Sequence, residues 1–273
     1  MYEAIIDKIL EFIDERIESC HRIDIDMLTK YSGYSRRHLQ RLFLIKTGVN
    51  IGEYIRKRRL NRAALLIRFS LRSFKNIALS LGFNCQQAFN REFKELTGFT
   101  PGEYRSYPEW ILFPLSGSKL QSEYNLSNSE IVYLDNEIWI NDEVEFFGSI
   151  GYKQKNDSFN EYLKIIFNTD VYNNGELWVV PKINLLKENK YNYQVICSLG
   201  DVNKNAGMNS FYFSGKYLKY EFETTIESHM ELVNYLYMNV LPRNNVIKRF
   251  GSEILIFKYY NNRVLCKIHI PIM

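Results

Sequence analysis

Residues 33–48, GYSRRHLQRLFLIKTG, divide into two faces when wound at 3.6 residues per turn. Leu39, Leu42 and Phe43 fall on one side and can pack inward, while Arg36, Arg37, Gln40 and Arg41 fall on the other. Gly33 permits a tight turn before the helix, and Ser35 is a good N-cap. A short helix seated on a core, with arginine and glutamine on its free face, suits a major groove. There arginine can grip guanine O6/N7 and glutamine adenine N6/N7. A solvated amphipathic surface helix has the same pattern, so this stretch alone leaves both readings open.

The flanking sequence narrows the choice. Residues 4–18 place Ile5, Ile6, Ile9, Phe12, Ile13 and Ile17 on one stripe, opposite Asp7, Glu11, Asp14, Glu15 and Glu18. That acidic face should lie away from any phosphate. Asp24 can cap a short helix reaching about Tyr31, with Ile25 and Leu28 facing in, so residues 24–46 read as helix, glycine turn, helix. Residues 52–69, GEYIRKRRLNRAALLIRF, read as one helix of roughly 25 Å at 1.5 Å per residue. Arg56, Lys57, Arg58, Arg59 and Arg62 load it with positive charge, either as a solvated face or as phosphate contacts.

The opening pattern then returns in residues 82–98, GFNCQQAFNREFKELTG. Fifty residues on, Leu39, Arg41, Phe43, Thr47 and Gly48 become Phe89, Arg91, Phe93, Thr97 and Gly98, and forty-nine on, Gly33 becomes Gly82. Ser73 can cap the preceding helix, giving a second unit at 73–97. Its free face carries Gln86, Gln87, Asn90 and Arg91. A repeat of this kind is much harder to dismiss than either copy alone. Two such helices joined by a rigid one can reach successive major-groove turns, about 34 Å apart, from a single chain. Thr100-Pro101-Gly102-Glu103 closes the run as a capping box with proline at the first helical position, leaving a helix N-terminus that can bind phosphate.

Charge is distributed accordingly. The chain of 273 residues carries +4 overall, yet residues 36–105 hold 15 basic against 4 acidic side chains. A polyanion partner is implied for the N-terminal part only. Cys20, Cys85, Cys197 and Cys266 have no paired spacing, and the four histidines form no ligand cluster, so reduced cytosolic thiols and neither metal nor cofactor are expected. No apolar run approaches 18 residues, and the first residues lack a basic n-region, so a cytoplasmic protein without a membrane span is expected. GxSxG, HExxH, P-loop and GxGxxG motifs are all missing, and His38 reads as a packing residue, so no enzyme is expected.

Tyr107-Pro108-Glu109-Trp110 breaks the helical pattern and marks a boundary between residues 1–107 and 108–273. Beyond it the spacing predicts strand 146–152, helix 158–168, strands 177–181 and 191–199, and a turn-rich link at 200–210. A short strand 211–213 follows, then strand 217–222, helix 226–241 and strands 253–260 and 264–272. Strand–helix–strand–strand thus occurs twice, and two such halves meet as an antiparallel sheet with both helices on one face and a cleft between. The fold class is a double helix-turn-helix all-α domain followed by a duplicated α+β domain. Trp178, Tyr212, Tyr220, Phe257 and Tyr259 are the aromatic residues that the pattern brings near that cleft, with ordinary core packing the leading role for each; only the family resemblance given next makes them candidate effector-binding residues.

The repeat, the linking helix and the closing GFTPGEYR resemble the DNA-binding domain of the AraC/XylS family of bacterial transcription regulators. The resemblance implies base contacts by Arg37, Gln40, Arg41, Gln86, Gln87, Asn90 and Arg91. Arg37 stands where relatives carry tryptophan, replacing an apolar contact to thymine methyls with a charged one. Ser35, Arg36, Arg56, Arg58, Pro101 and Gly102 are the candidate phosphate contacts. Residues 108–273, with Tyr107–Trp110 at the junction and Ile270-Pro271-Ile272 at the end, resemble the GyrI-like effector-binding domain. Members of that family often carry a glutamate for cationic ligands where this chain has Phe257, so an apolar or anionic effector is the expectation. The resemblance further implies a monomer on double-stranded DNA, contact with RNA polymerase, and activation of drug-efflux and stress-resistance genes. A C-terminal module that binds a protein or resists proteolysis, without a ligand, is the alternative.

Overall fold

The computed structural model describes residues 2–111, 126, 129–148, 157–167, 176–186, 193–201, 209–261 and 263–273. Seven helices come first: α1 (Tyr2–Glu18), α2 (Ile25–Ser32), α3 (Arg36–Thr47), α4 (Ile51–Phe69), α5 (Phe74–Ser80), α6 (Gln86–Thr97) and α7 (Pro101–Ser106). Their ends fall where the capping residues place them. Asp24 accepts from the Met27 N–H, Ser35 from His38 and Ser73 from Asn76, while Thr100 and Glu103 form the reciprocal capping box.

The helices enclose two apolar clusters. Ile6, Ile9, Ile13, Leu28, Leu39, Phe43 and Tyr54 fill the first, between α1, α2, α3 and the start of α4. The second begins with Leu60, Ile67, Ile77, Phe89, Phe93 and Tyr104 and runs on without a break into the sheet-rich region. A charged cluster joins α1 to α4. Arg58 Nε lies 2.7 Å from Asp14 Oδ1, Arg62 reaches Glu18 Oε2 at 2.8 Å, and the Tyr54 hydroxyl donates to Asp14 at 3.3 Å. Asp14, placed by periodicity on the solvated face of α1, is fully buried, and Arg58 and Arg62 are buried with it. An arginine taken from water needs a carboxylate partner, and the Asp14 and Glu18 charges outweigh burial to hold the Arg58 guanidinium above its ordinary pKa.

The C-terminal elements are β1 (Trp110–Ile111), β2 (Glu130–Gly148), α8 (Asp157–Phe167), β3 (Leu177–Leu185), β4 (Tyr193–Asp201), β5 (Asn209–Thr224), α9 (His229–Tyr235), β6 (Ile247–Lys248), β7 (Ile254–Tyr260) and β8 (Arg263–Pro271). Helix α9 continues through a π-helical turn, Leu236–Val240, into a last turn at Leu241–Arg243. The six long strands pair antiparallel in a closed ring, in the order β2-β4-β3-β7-β8-β5. The sequence reading of an open sheet with a cleft between its halves is corrected here. Long β2 and β5 close the ring, because each pairs with a different neighbour along its two parts.

Three further strand expectations change. Strand β2 starts at Glu130, well before the expected residue 146. Val132, Leu134, Ile138 and Ile140 alternate inward, but Asp135-Asn136 in their midst reads as a turn. The two segments 211–213 and 217–222 are parts of the single strand β5, which keeps its register with β2 through Gly215, at φ +101. Strand β3 passes Pro181 and runs to Leu185. It pairs with β7 only over Leu177–Val179, so beyond that the proline lies on an edge that needs no N–H. Residues 149–152 of the expected first strand, and 202–208 of the expected link, lie outside the described residues.

Trp110 couples the two regions. Its Nε1 donates to the Tyr104 hydroxyl at 3.0 Å, and that hydroxyl donates to the Ile111 carbonyl. The Trp110 ring meets Phe69 of α4 edge-on and stacks on Tyr237 in the π turn, 5.6 Å between centroids. Arg68 donates to the carbonyls of Tyr107 and Glu109, and β1 pairs with β6. Burial pushes the Tyr104 phenol up to about 12.

Two outcomes follow from this packing. Asp14→Ala takes the nearer carboxylate from the buried Arg58 guanidinium and should destabilise the protein by about 3–5 kcal/mol, read as a lower urea midpoint at unchanged slope. His269, buried in β8 near Lys219 and Lys267, is pushed down to about 4, first by burial and then by those charges. The unfolded chain takes up this proton near pH 6.5 and the folded protein only near 4. Stability is therefore complete above 6.5 and lost as pH falls towards 4, by up to about 3 kcal/mol. Urea titrations from pH 7 to 4 should show that slope, and His269→Gln should flatten it.

Candidate nucleic-acid interface

The two helix-turn-helix units repeat in atomic detail. Gly33 and Gly82 turn the chain at φ +71 and +80, a conformation that a side chain would strain. Leu28 and Ile77 stand buried at matching places in α2 and α5. Ser35 caps α3, and in the second unit the Cys85 sulfur takes that role, accepting from the Ala88 N–H at 3.5 Å. At the far ends, the Thr47 and Thr97 hydroxyls donate back to the carbonyls of Phe43 and Phe93, at 2.7 and 2.8 Å, and accept from the N–H groups of Val49 and Phe99, at 3.3 and 3.2 Å. Helices α3 and α6 are thus each fixed at both ends.

The inward face of α3 is Leu39, Leu42 and Phe43, and that of α6 is Phe89, Phe93 and Thr97. Outward, Arg36, Arg37, Gln40 and Arg41 are exposed on α3, as are Gln87 and Arg91 on α6. Among the described residues, none of these four arginines has a carboxylate within 4 Å, so their charge is open to solvent or to a ligand. Gln86 and Asn90 are half-buried, and the Asn90 Oδ1 is turned inward without a hydrogen-bond partner. Asn90 is accordingly less free to reach a base edge than Gln87 or Arg91. His38 packs edge-on against Tyr34, 4.8 Å between centroids, which is a packing role.

Helix α4 contributes less than its composition implied. Arg58 is withdrawn into the buried cluster with Asp14 and Glu18 and is removed from the candidate phosphate contacts. Arg56 is half-buried and held by two carboxylates of α6, Glu92 at 2.9 Å and Glu95 at 2.7 Å, so it braces α4 against the second reading helix. Lys57 pairs with Glu53 one turn earlier. The closing capping box is corrected in the same way. Pro101 is buried and has no N–H, and the Glu103 carboxylate accepts from the Thr100 N–H at 2.7 Å, already supplying the anion at that helix start. Hydrogen bonds from Thr100 hold the Glu103 carboxyl below its ordinary pKa. Gly102 stays exposed beside it, as do Ser35 and Arg36 at the head of α3.

Arg59, read from the sequence only as one of five basic residues on the linking helix, has a place of its own. Its side chain is half-buried and donates to the Ile23 carbonyl at 2.9 Å, and a Cβ on Gly82 would come within 3.3 Å of it. It therefore touches both units. Nothing in its sequence context sets it apart from the four basic residues around it.

The five candidate effector residues do not converge. Trp178 belongs to the cluster inside the ring, with Ile138, Val180, Phe213 and Ile256. Tyr220 and Phe257 lie on the opposite sheet face, towards the helices. Phe257 is fully buried under Phe159 of α8 and His229 of α9, with ring centroids 6.5 and 5.6 Å away. Tyr259 stacks on Phe167, and Tyr212 is exposed with its hydroxyl on Asp135. Alternation along β3 and β7 sends neighbouring aromatics to opposite faces, which proximity in sequence conceals. Among the described residues no helix is long and apolar enough to cross a membrane.

Comparison with known proteins places these observations. A helix-turn-helix domain family matches residues 28–107. The chain is 29% identical to the F1 operon positive regulatory protein of Yersinia pestis, over 98% of this chain and 87% of that protein. It is 28% identical to the right origin-binding protein of Escherichia coli, over 85% of this chain and 83% of the relative. Against the regulatory protein SoxS of Salmonella typhimurium it is 42% identical, over 38% of this chain and 95% of the relative. With its two helix-turn-helix units built as described, the chain belongs to the AraC family of transcriptional regulators and carries the DNA-binding domain of that family.

Proposed function

We propose that the chain is a sequence-specific activator that binds about 20 bp of duplex as a monomer, with α3 and α6 in successive major-groove turns. Residues 1–107 form the DNA-binding domain and 108–273 a regulatory domain. The observation that carries this reading is the contrast in charge pairing. The exposed arginines of α3 and α6 (Arg36, Arg37, Arg41 and Arg91) stand without carboxylate partners among the described residues, whereas Arg56, Lys57, Arg58 and Arg62 of α4 are each paired with a carboxylate, the last two out of water. Arg37, Gln40, Arg41, Gln86, Gln87, Asn90 and Arg91 are the base-reading set, with Ser35, Arg36 and Gly102 left as phosphate contacts. Positive regulation is supported by the name of the Yersinia pestis relative. Drug-efflux and stress-resistance targets, and contact with RNA polymerase, rest on the family resemblance.

For residues 108–273, sensing of a small apolar or anionic effector is the first reading, and the Trp110–Tyr237 stack supplies a mechanical route to α4. The dispersal of the five aromatic residues favours the second, a protein-interaction module without a ligand. Calorimetry of the full chain with fatty acids, bile salts and cationic dyes separates them, since saturable binding of any one sustains the sensor.

Selection of bound sites from a random duplex library tests the DNA reading, which expects two half-sites one helical turn apart. On the selected site, Arg41→Ala should cost about 1–3 kcal/mol while leaving affinity for random duplex nearly unchanged. Equal losses on both would assign Arg41 to phosphate. Arg37→Trp should move the preference of the first half-site from guanine towards thymine, measured by repeating the selection with the variant.

A further inference from the structure

A cleft of about 430 Å³ opens between the two helix-turn-helix units. Arg36 and Gln40 of α3 line one side, Ala88 and Glu92 of α6 the other, and Arg59 of α4 lies between them. Ile25, Ile55 and Phe83 give it an apolar wall. Its charges are unevenly satisfied. Glu92 is bound by Arg56, and Asp24, also on the wall, accepts from the Met27 N–H. Among the described residues Arg59 has no carboxylate within 4 Å; it is half-buried, with the Ile23 carbonyl as its hydrogen-bond acceptor. Burial and then the neighbouring Arg22 charge lower its pKa, against a smaller opposing pull from Glu92, which Arg56 already occupies. Arg36 stands equally unpaired at the rim.

We infer that this cleft binds a small amphipathic organic anion, with the acidic group on Arg59 and Arg36 and the apolar body against Ile25, Ile55 and Phe83. The volume falls within the range of small-molecule sites, and the lining sets an apolar wall beside charged groups that can fix a ligand's orientation. A DNA phosphate would have no use for that wall. A planar guanidinium takes a carboxylate or sulfonate through two parallel hydrogen bonds. Because Arg36 and Gln40 also belong to the proposed DNA-reading face, the occupant competes with duplex. This second part rests on the functional reading above, while the site itself does not.

The test uses the full chain and the fluorescent sulfonate 8-anilinonaphthalene-1-sulfonate. It should bind saturably with one-to-one stoichiometry and shift the amide resonances of Gly82, Phe83 and Ile55. Arg59→Gln should weaken it at least about tenfold, and Arg59→Lys by a smaller factor, since lysine keeps the charge but loses the paired hydrogen bonds. N-phenyl-1-naphthylamine, which has the same rings without the sulfonate, should bind at least about tenfold more weakly. Ala88→Glu, a surface change that adds a carboxylate to the wall, should abolish binding even if Arg59→Gln fails to fold. Identical titrations for wild type and Ala88→Glu, or shifts confined to residues 129–273, overturn the site. So does an Arg59→Gln variant that loses duplex affinity and about one unit of salt slope while sulfonate binding is unchanged, since Arg59 then serves a phosphate. Arg59-dependent binding that excess duplex fails to displace sustains the site and overturns the DNA-facing assignment of α3.

Discussion

The helical region depends on one buried constellation of charge, Asp14 and Glu18 of α1 against Arg58 and Arg62 of α4. Two apolar helices could slide along each other at little cost. A carboxylate between two guanidiniums, all out of water, permits one register, because any slip leaves a buried ion unpaired. That register sets where α4 points, and α4 is the element on which both helix-turn-helix units rest. The buried pairs thus act on geometry more than on net stability.

From α4 outward the two units are held differently, although they copy each other in turn, cap and end. The first closes its own core with α1, which the second has no counterpart for. The second instead shares a continuous core with the sheet-rich region, through Phe69, Trp110 and Tyr237, and is braced to α4 by Arg56 on Glu92 and Glu95. The π turn at Leu236–Val240 is therefore joined by packed side chains to the core that holds α6, and α3 lies in the other core. Extra residues of this kind within a helix are a common device at functional sites.

The helices were legible because their signals are local. Asp24, Ser35, Ser73 and Thr100 cap through atoms two or three residues away, and the glycine turns act within one residue. The role of α4 was not legible. Its basic residues surround the helix, and periodicity cannot tell which cations a distant helix will claim with Asp14 forty-four residues earlier. The same limit hid β2. Its inward alternation at Val132, Leu134, Ile138 and Ile140 is regular, yet Asp135-Asn136 belongs there only because Asn136 pairs with Phe213 on a strand that is distant in sequence. Placing the candidate DNA-reading residues needed only the repeat. Placing the candidate effector residues needed the three-dimensional faces of the sheet, and there the sequence grouping failed.

What is withdrawn from α4 also sharpens the reading helices. Most affinity for DNA is phosphate attraction, which carries no sequence information. Had Arg56, Arg58 and Arg62 faced the duplex, they would have raised affinity for every site alike. Held by Glu92, Asp14 and Glu18, they leave the exposed Arg37, Arg41 and Arg91, the proposed base readers, a larger share of whatever binding energy remains. On the proposed reading, the same pairing that fixes α1 against α4 therefore lowers the sequence-independent background against which α3 and α6 would discriminate.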